Sequence, residues 1–237
     1  MPHMNYSLKL CETRKLFYSE YLYKLVLRNE LNVIFRTELQ KKGKLSFAKS
    51  QLDEITEAYQ NNLPLFKRTW RTEVQVNVND YLDAMDVYAT LKNSDDYRLR
   101  IDPTCTITLF SNNKDFLLGL ANRLKTEQIE FWEPNDAYVE LLTSKVKIVI
   151  VDEKPKLKLK VYFNSKQVDS GLGSWIIANT DKCKVGTVAL ECISTHGYLN
   201  GFYMYIRDEK VLNLVTLLAG NSIRSVEKLV YKEDIDK

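Results

Sequence analysis

The fold is decided by residues 73–132, which read EVQVNVNDYLDAMDVYATLKNSDDYRLRIDPTCTITLFSNNKDFLLGLANRLKTEQIEFW. Polar and apolar positions alternate in the strand-like parts, and apolar residues recur at helical spacing between them. The pattern predicts five elements in order: a strand at 73–78, a helix capped by Asn79 or Asp80, a β segment at 97–110 interrupted at Asp102-Pro103, a helix capped within 111–113, and a strand at 128–132. We therefore expect an α+β fold with helices packed on one face of an antiparallel or mixed sheet, and ferredoxin-like βαβ units are one candidate.

Three regions follow when this pattern is extended in both directions. Residues 1–70 are aromatic and basic, and we predict that they are mainly helical, with a clear helix at 47–61. The spacing within Tyr21–Leu27 fits a helix and a strand equally well. Residues 71–168 form the predicted α+β domain, which ends in a lysine-rich hairpin. Residues 169–237 form a C-terminal α+β region that we expect to pack on the preceding one.

Composition excludes several classes of protein. The chain of 237 residues has 34 basic and 31 acidic side chains and only 8 glycines, so glycine-rich phosphate loops and dinucleotide fingerprints are not expected. No apolar run approaches the ~18 residues of a membrane span, and the first residues lack the pattern of a secretory signal. Four scattered cysteines suit a reducing compartment. These features predict a folded cytoplasmic protein with no membrane contact.

The most informative segment is 141–166, which carries seven lysines and two acidic residues. Two apolar strands flank 152–155, and proline in that stretch suits a turn, so we predict a β-hairpin. Period-two alternation places six apolar residues on one face, which is predicted to be buried: Val146, Ile148, Ile150, Leu157, Leu159 and Val161. The other face then carries Lys145, Lys147, Lys156, Lys158, Lys160 and Tyr162.

This hairpin suggests a partner. Lys147 is predicted to lie opposite Lys160, and like charges directly across a ladder cost up to ~1 kcal/mol. An anionic phosphate backbone would offset that cost, and Tyr162 could stack on a base. A solvated face, or lysines that protect an edge strand, explains the same pattern. We predict a non-enzymatic nucleic-acid-binding protein without a cofactor, which acts within a larger assembly.

A second basic patch is predicted in the middle of the chain. Period two places Arg98 and Arg100 on one strand face, so both are candidate nucleic-acid contacts. Arg68, Arg71 and Trp70 could extend this patch. Surface arginines on a half-exposed sheet account for the same residues.

Two further functions remain open. Tyrosine-rich strands such as Phe202-Tyr203-Met204-Tyr205 could form an interface with a protein partner or a second copy, as in a scaffold subunit of a viral or phage complex. A metal-dependent nuclease would use Asp136 and Asp152 to hold magnesium and Lys154 to orient water. A zinc site at Cys183, Cys192 and His196 is disfavoured because their spacing lacks a close ligand pair.

Overall fold

The computed structural model describes residues 8–40, 45–68 and 73–235, and it divides the chain into two units, Met1–Pro134 and Asn135–Lys237. Elements of the first unit follow in this order: β1 (Leu8–Thr13), β2 (Tyr23–Arg28), a 3₁₀-helix (Asn32–Gln40), α1 (Ser46–Gln60), β3 (Phe66–Arg68), β4 (Glu73–Gln75), α2 (Val78–Lys92), β5 (Arg98–Asp102), β6 (Thr106–Ser111), α3 (Lys114–Ala121) and β7 (Ile129–Pro134). Five of the strands form one sheet in the order β1-β7-β2-β6-β5, and β3 and β4 form a small separate pair.

Helices cover one face of the first sheet because apolar residues alternate along its strands. Leu25, Leu109 and Phe131 are fully buried and belong to one core cluster with residues of α2 and α3. The Asn113 side chain accepts a hydrogen bond from the Phe116 amide and so begins α3 within the predicted capping segment. The strand predicted at 73–78 ends at Gln75 because α2 starts at Val78. The predicted cap at Asn79 or Asp80 is wrong: the Asn77 side chain accepts a hydrogen bond from the Asn79 amide, and both predicted residues lie inside the first turn.

The second unit has the following elements: α4 (Asp136–Leu142), β8 (Ile148–Val151), β9 (Leu159–Phe163), α5 (Ser170–Ala178), β10 (Cys183–Val185), α6 (Thr187–Ser194), β11 (Tyr203–Ile206), α7 (Glu209–Ala219) and β12 (Ile223–Tyr231). Its five strands form a sheet in the order β10-β11-β9-β12-β8. Val161, Phe163 and Met204 are fully buried in a second core cluster with residues of α5, α6 and α7.

The predicted hairpin at 145–163 is wrong. β8 and β9 lie in the same sheet, but β12 lies between them, antiparallel to β9 and parallel to β8. Nearness along the chain suggested direct pairing, whereas the sheet places a strand from the end of the chain at that position. The predicted side-chain faces hold within β8 and β9, because alternation within each strand does not depend on which strand is its neighbour. Val146, which was predicted to be buried, precedes β8 and is 54% exposed.

Both units have the same strand order. Four strands, β2-β5-β6-β7 in the first unit and β9-β10-β11-β12 in the second, pair antiparallel in the order fourth, first, third, second. The first unit has the β-α-β-β-α-β succession of helices and strands, and the second has α6 as an additional helix between β10 and β11. The first strand of each unit, β1 or β8, adds to the edge and runs parallel to the last strand. The predicted α+β class is therefore confirmed, and a ferredoxin-like plan occurs twice.

Unit boundaries differ from the regions predicted at 1–70, 71–168 and 169–237. β1 pairs with β7, and β2 pairs with both β6 and β7, so the N-terminal region contributes two strands to the first sheet in addition to its helices. β8 and β9 pair with strands of the C-terminal region, which moves the division to Pro134. Long-range strand pairing sets both limits. Among the residues described, no helix combines the length and the apolar character that a membrane crossing requires.

Candidate functional site

A cluster of tyrosines and one lysine lies on the second sheet, on the face opposite its helices. Leu159, Val161 and Met204 point into the helical core, so their strand neighbours occupy the other face. We call this surface the tyrosine face; its central residues are Lys160 and Tyr162 of β9 and Tyr203 and Tyr205 of β11. Register pairs Tyr203 with Tyr162 and Tyr205 with Lys160 on these adjacent strands. Tyr203 is 42% exposed, which leaves its ring open to a ligand.

Three tyrosine rings surround the ammonium group of Lys160. Its Nζ atom lies 4.0 Å from the ring centroid of Tyr203, 4.8 Å from that of Tyr162 and 5.6 Å from that of Tyr205. Burial lowers the pKa of Lys160, but contact with Tyr162 and the other tyrosines outweighs it, so the pKa lies above its ordinary value. The tyrosine face therefore carries a fixed positive charge at neutral pH.

Glu227 of β12 holds the Tyr162 ring in place. The Tyr162 hydroxyl donates a hydrogen bond to Glu227 Oε2 at 3.0 Å, and Glu227 lies opposite Lys160 in the β9–β12 register. Burial raises the pKa of Tyr162, the contact with Lys160 lowers it and the bond to Glu227 raises it, and the net pKa lies above its ordinary value, so the hydroxyl stays protonated and can donate. This contact limits the motion of the Tyr162 ring, which therefore presents a preformed surface.

Further cations border the tyrosine face. Lys184 of β10 pairs with Tyr205, and the Arg224 guanidinium carbon lies 5.6 Å from the Tyr162 ring centroid. Lys147 and Lys158 each precede a strand by one residue, and their carbonyls accept backbone hydrogen bonds from β12. Continued alternation places both side chains on this face, and both are exposed. The surface is thus basic around an aromatic centre.

The predicted lysine site is brought together only in part. Lys145 and Lys156 are exposed and lie outside the strands. Lys147 does not lie opposite Lys160, because β12 intervenes and places Glu227 beside Lys160. The predicted repulsion is therefore absent. β8 is an edge strand, so Lys147 also suits edge protection, whereas Lys160 is in a central strand where edge protection has no role.

Sequence reasoning treated Tyr203 and Tyr205 only as a possible protein interface, and it did not connect Lys184 and Arg224 with Tyr162. The sequence does contain one signal for these residues: alternation in 202–205 places Tyr203 and Tyr205 on the same strand face. Which other strand lies beside them could not be read from that pattern.

The predicted arginine patch belongs to the first unit, whereas the predicted lysines belong to the second. Arg98 and Arg100 share one face of β5, as expected, while Tyr97 and Leu99 pack against the core. The Arg98 guanidinium carbon lies 3.7 Å from the Tyr18 ring centroid, and Arg100 forms an ion pair with Asp102 at 3.0 Å. Both arginines already contact groups of their own unit. Trp70 and Arg71 lie outside the described residues.

An aromatic segment of the chain covers part of the open face of the first sheet. Phe110 of β6 is only 2% exposed because the rings of Phe17, Tyr18 and Tyr21 pack against it. Lys24 lies over Trp132 at 3.8 Å from the ring centroid. The first sheet therefore uses much of its aromatic face for internal packing, although Tyr18 itself is 45% exposed with Arg98 over its ring. The second sheet differs in that Tyr203 lies on a strand of the sheet next to two other tyrosines.

The proposed metal sites lack ligand clusters. Asp136 is the first residue of α4, and Asp152 and Lys154 lie in the loop after β8. Within 8–40, 45–68 and 73–235, no group of three or more His, Cys, Asp or Glu side chains is arranged to hold a metal ion. Cys183 and Cys192 are free thiols, and His196 Nδ1 lies 3.2 Å from the carbonyl oxygen of Val168.

Comparison with models of protein families, with curated proteins and with solved structures finds no match. The candidate site therefore rests on geometry alone, and the tyrosine face is the surface on which exposed rings and cations come together.

Proposed function

We propose that this protein binds single-stranded nucleic acid on the tyrosine face of its second sheet. The observation that carries the proposal is the exposed ring of Tyr203, next to Tyr162 and Tyr205 on two central strands with a lysine among them. Aromatic rings on an open sheet can stack on unpaired bases of any sequence. A duplex keeps its base faces stacked inside, which favours a single strand as the ligand.

Charge supports the same ligand. Lys147, Lys158, Lys184 and Arg224 border the rings, and Glu227 is the carboxylate among them. Cations beside a stacking surface can contact the phosphates that join stacked bases. The RNA recognition motif uses a comparable arrangement, a four-stranded sheet whose aromatic residues stack two or three bases. This likeness is one of arrangement, and it supports the proposed function without assigning a family.

The test uses fluorescence anisotropy with short labelled strands of RNA and DNA and with a duplex. We expect salt-dependent binding of the single strands and weaker binding of the duplex. Replacing Tyr203 by alanine should weaken single-strand binding by about 5-fold or more, because one stacked base contributes ~1–3 kcal/mol. The matched control is Tyr198→Ala, which removes another exposed tyrosine of the same unit that lies outside the strands.

Phosphate contacts have a separate signature. The double variant Lys158→Glu/Lys184→Glu should reduce affinity for all sequences and flatten the dependence of log affinity on log salt. The control is Lys210→Glu, which lies on α7 on the helical side of the same sheet and should change neither the affinity nor its dependence on salt. Absence of oligonucleotide binding by the wild type at low salt, or unchanged affinity in Tyr203→Ala, would overturn the proposal.

The assembly hypothesis makes a different prediction for the same surface. If Tyr203 and Tyr205 meet a second copy of the chain, light scattering should give a mass above that of one chain, and Tyr203→Ala should lower it. A monomer that binds oligonucleotides favours the nucleic-acid proposal over the scaffold one.

A further inference from the structure

A groove of about 950 Å³ opens beside the tyrosine face at the β10 edge of the second sheet. Tyr205 and Lys184 line this groove and also belong to, or border, the tyrosine face, so the two surfaces are continuous. Its volume lies near the upper end of the ~300–1,000 Å³ range that is typical of small-molecule sites. A strand that crosses the tyrosine face therefore reaches the groove without leaving the surface.

The groove combines apolar walls with polar groups. Leu157, Ile177 and Val185 provide apolar wall, and Ile177 is 62% exposed although it is a large apolar residue. Glu153 and Asp181 place carboxylates among the lining residues, and Asp181 Oδ2 also lies 3.7 Å from the Arg207 guanidinium, which leaves its other oxygen to accept hydrogen bonds. Lys156 and Lys184 add two ammonium groups, both on exposed residues. Such a lining can accept the flat face of a base, hydrogen bonds from its edge and a phosphate at the mouth.

Building on the proposed function, we infer that this groove is a subsite for one unpaired nucleotide whose base carries an exocyclic amino group. Ionised carboxylates only accept hydrogen bonds, so they pair with the exocyclic amino group of cytosine, adenine or guanine. Uracil has no amino group and offers only its N3–H, so it makes fewer hydrogen bonds in the groove. The two lysines supply the cations for the adjoining phosphates. Sequence preference therefore arises at the groove, while the tyrosine face binds the remaining bases without discrimination.

The experiment compares labelled decauridylate with the same strand carrying a single cytidine at each position in turn. For the wild-type protein, we expect cytidine at one position to tighten binding by about 5-fold or more. Ile177→Trp fills the groove from an exposed position and should remove this preference while decauridylate still binds. Val188→Trp is the control, because Val188 is equally exposed, at 63%, and is not a lining residue.

A second variant tests the chemistry. Glu153→Ala/Asp181→Ala keeps the groove open and should also remove the cytidine preference, with no loss of affinity for decauridylate. If the wild type binds decauridylate and shows no preference at any position, or if Ile177→Trp retains the preference, the groove assignment fails and the proposed function stands. If the wild type binds neither strand, both fail together.

Discussion

Asp83 gives the sharpest test of the first unit, because it is a fully buried carboxylate with no cationic side chain among its hydrogen-bond donors. It lies on α2, and its two oxygens accept hydrogen bonds from the backbone amides of Lys125 and Thr126, in the loop that follows α3. Burial raises the pKa of Asp83 from its ordinary value of 3.8 to about 6, although the two backbone hydrogen bonds lower it. The carboxylate thus ties α2 to the loop that leads into β7.

The raised pKa predicts the direction of a pH effect. A group whose pKa is higher in the folded state stabilises the fold fully below its unfolded pKa, and that stability is lost as pH rises through the folded pKa. The pKa of Asp83 is 3.8 in the unfolded state and about 6 in the folded state. At about 1.4 kcal/mol per pKa unit, the free energy of unfolding falls by ~3 kcal/mol in total as the pH rises through this range. About 2 kcal/mol of this falls between about pH 4.5 and about pH 7.5.

Asp83→Asn removes the titration and keeps the shape. The amide should destabilise the protein because its NH₂ group meets a backbone N–H, at a cost of about 1–3 kcal/mol. We expect this destabilisation to be larger by ~2 kcal/mol at about pH 4.5 than at about pH 7.5. Urea unfolding followed by tryptophan fluorescence in a Trp175→Phe background reports on the first unit, because Trp132 and Trp70 lie there.

The control is Asp86→Asn, which removes an exposed ion pair to Arg123 from the same helix and should cost under ~1 kcal/mol. A free-energy difference between the wild type and Asp83→Asn that does not change with pH would refute the reasoning. A carboxyl ¹³C titration of Asp83 with a midpoint near its ordinary value would refute it as well.

Three further predictions test the fold. Val226→Asp places a carboxylate on the core side of β12 and should unfold the second unit alone, whereas Ser225→Asp on the opposite face should be tolerated; equal stability of the two variants by Trp175 fluorescence would contradict the placement of β12. Asn113→Ala should lower the unfolding free energy by ~1 kcal/mol through loss of the α3 cap, and an unchanged urea midpoint would argue against that cap. Phe131→Ala should cost about 3–5 kcal/mol in the first core, and a loss below ~1 kcal/mol would place this ring outside it.

Local patterns predicted most of the secondary structure. The helix at 46–60 and the strands on both sides of Pro103 follow from residues close in the chain, because side-chain period and capping act over a few residues. The spacing of apolar residues in the short run Tyr21–Leu27 fits a helix and a strand equally well. Only the pairing of this segment with β6 and β7 makes it a strand. Local pattern therefore decides an element when the run is long, and long-range pairing decides it when the run is short.

The candidate site was predicted only in part for the same reason. Lys160 and Tyr162 were placed correctly on a polar face by period-two alternation within one strand. Their neighbours Tyr203 and Glu227 come from strands that lie about 40 and 65 residues further along the chain, and no local pattern specifies which strands pair. The inferred lysine repulsion failed because it depended on that pairing.

The sequence by itself determined the α+β class, the segment that caps α3 and the face on which the side chains within each strand lie, since these depend on neighbours within a few residues. Only the tertiary structure decided the order of the strands in each sheet and the boundary between the two units at Pro134. It also decided that three tyrosine rings surround the ammonium group of Lys160. Alternation gives each strand one side that must be buried. Several different orders of the strands within a sheet would bury those sides, so alternation alone does not select one order. The order observed is selected by how whole strands and helices fill one core, which is a property of distant segments together.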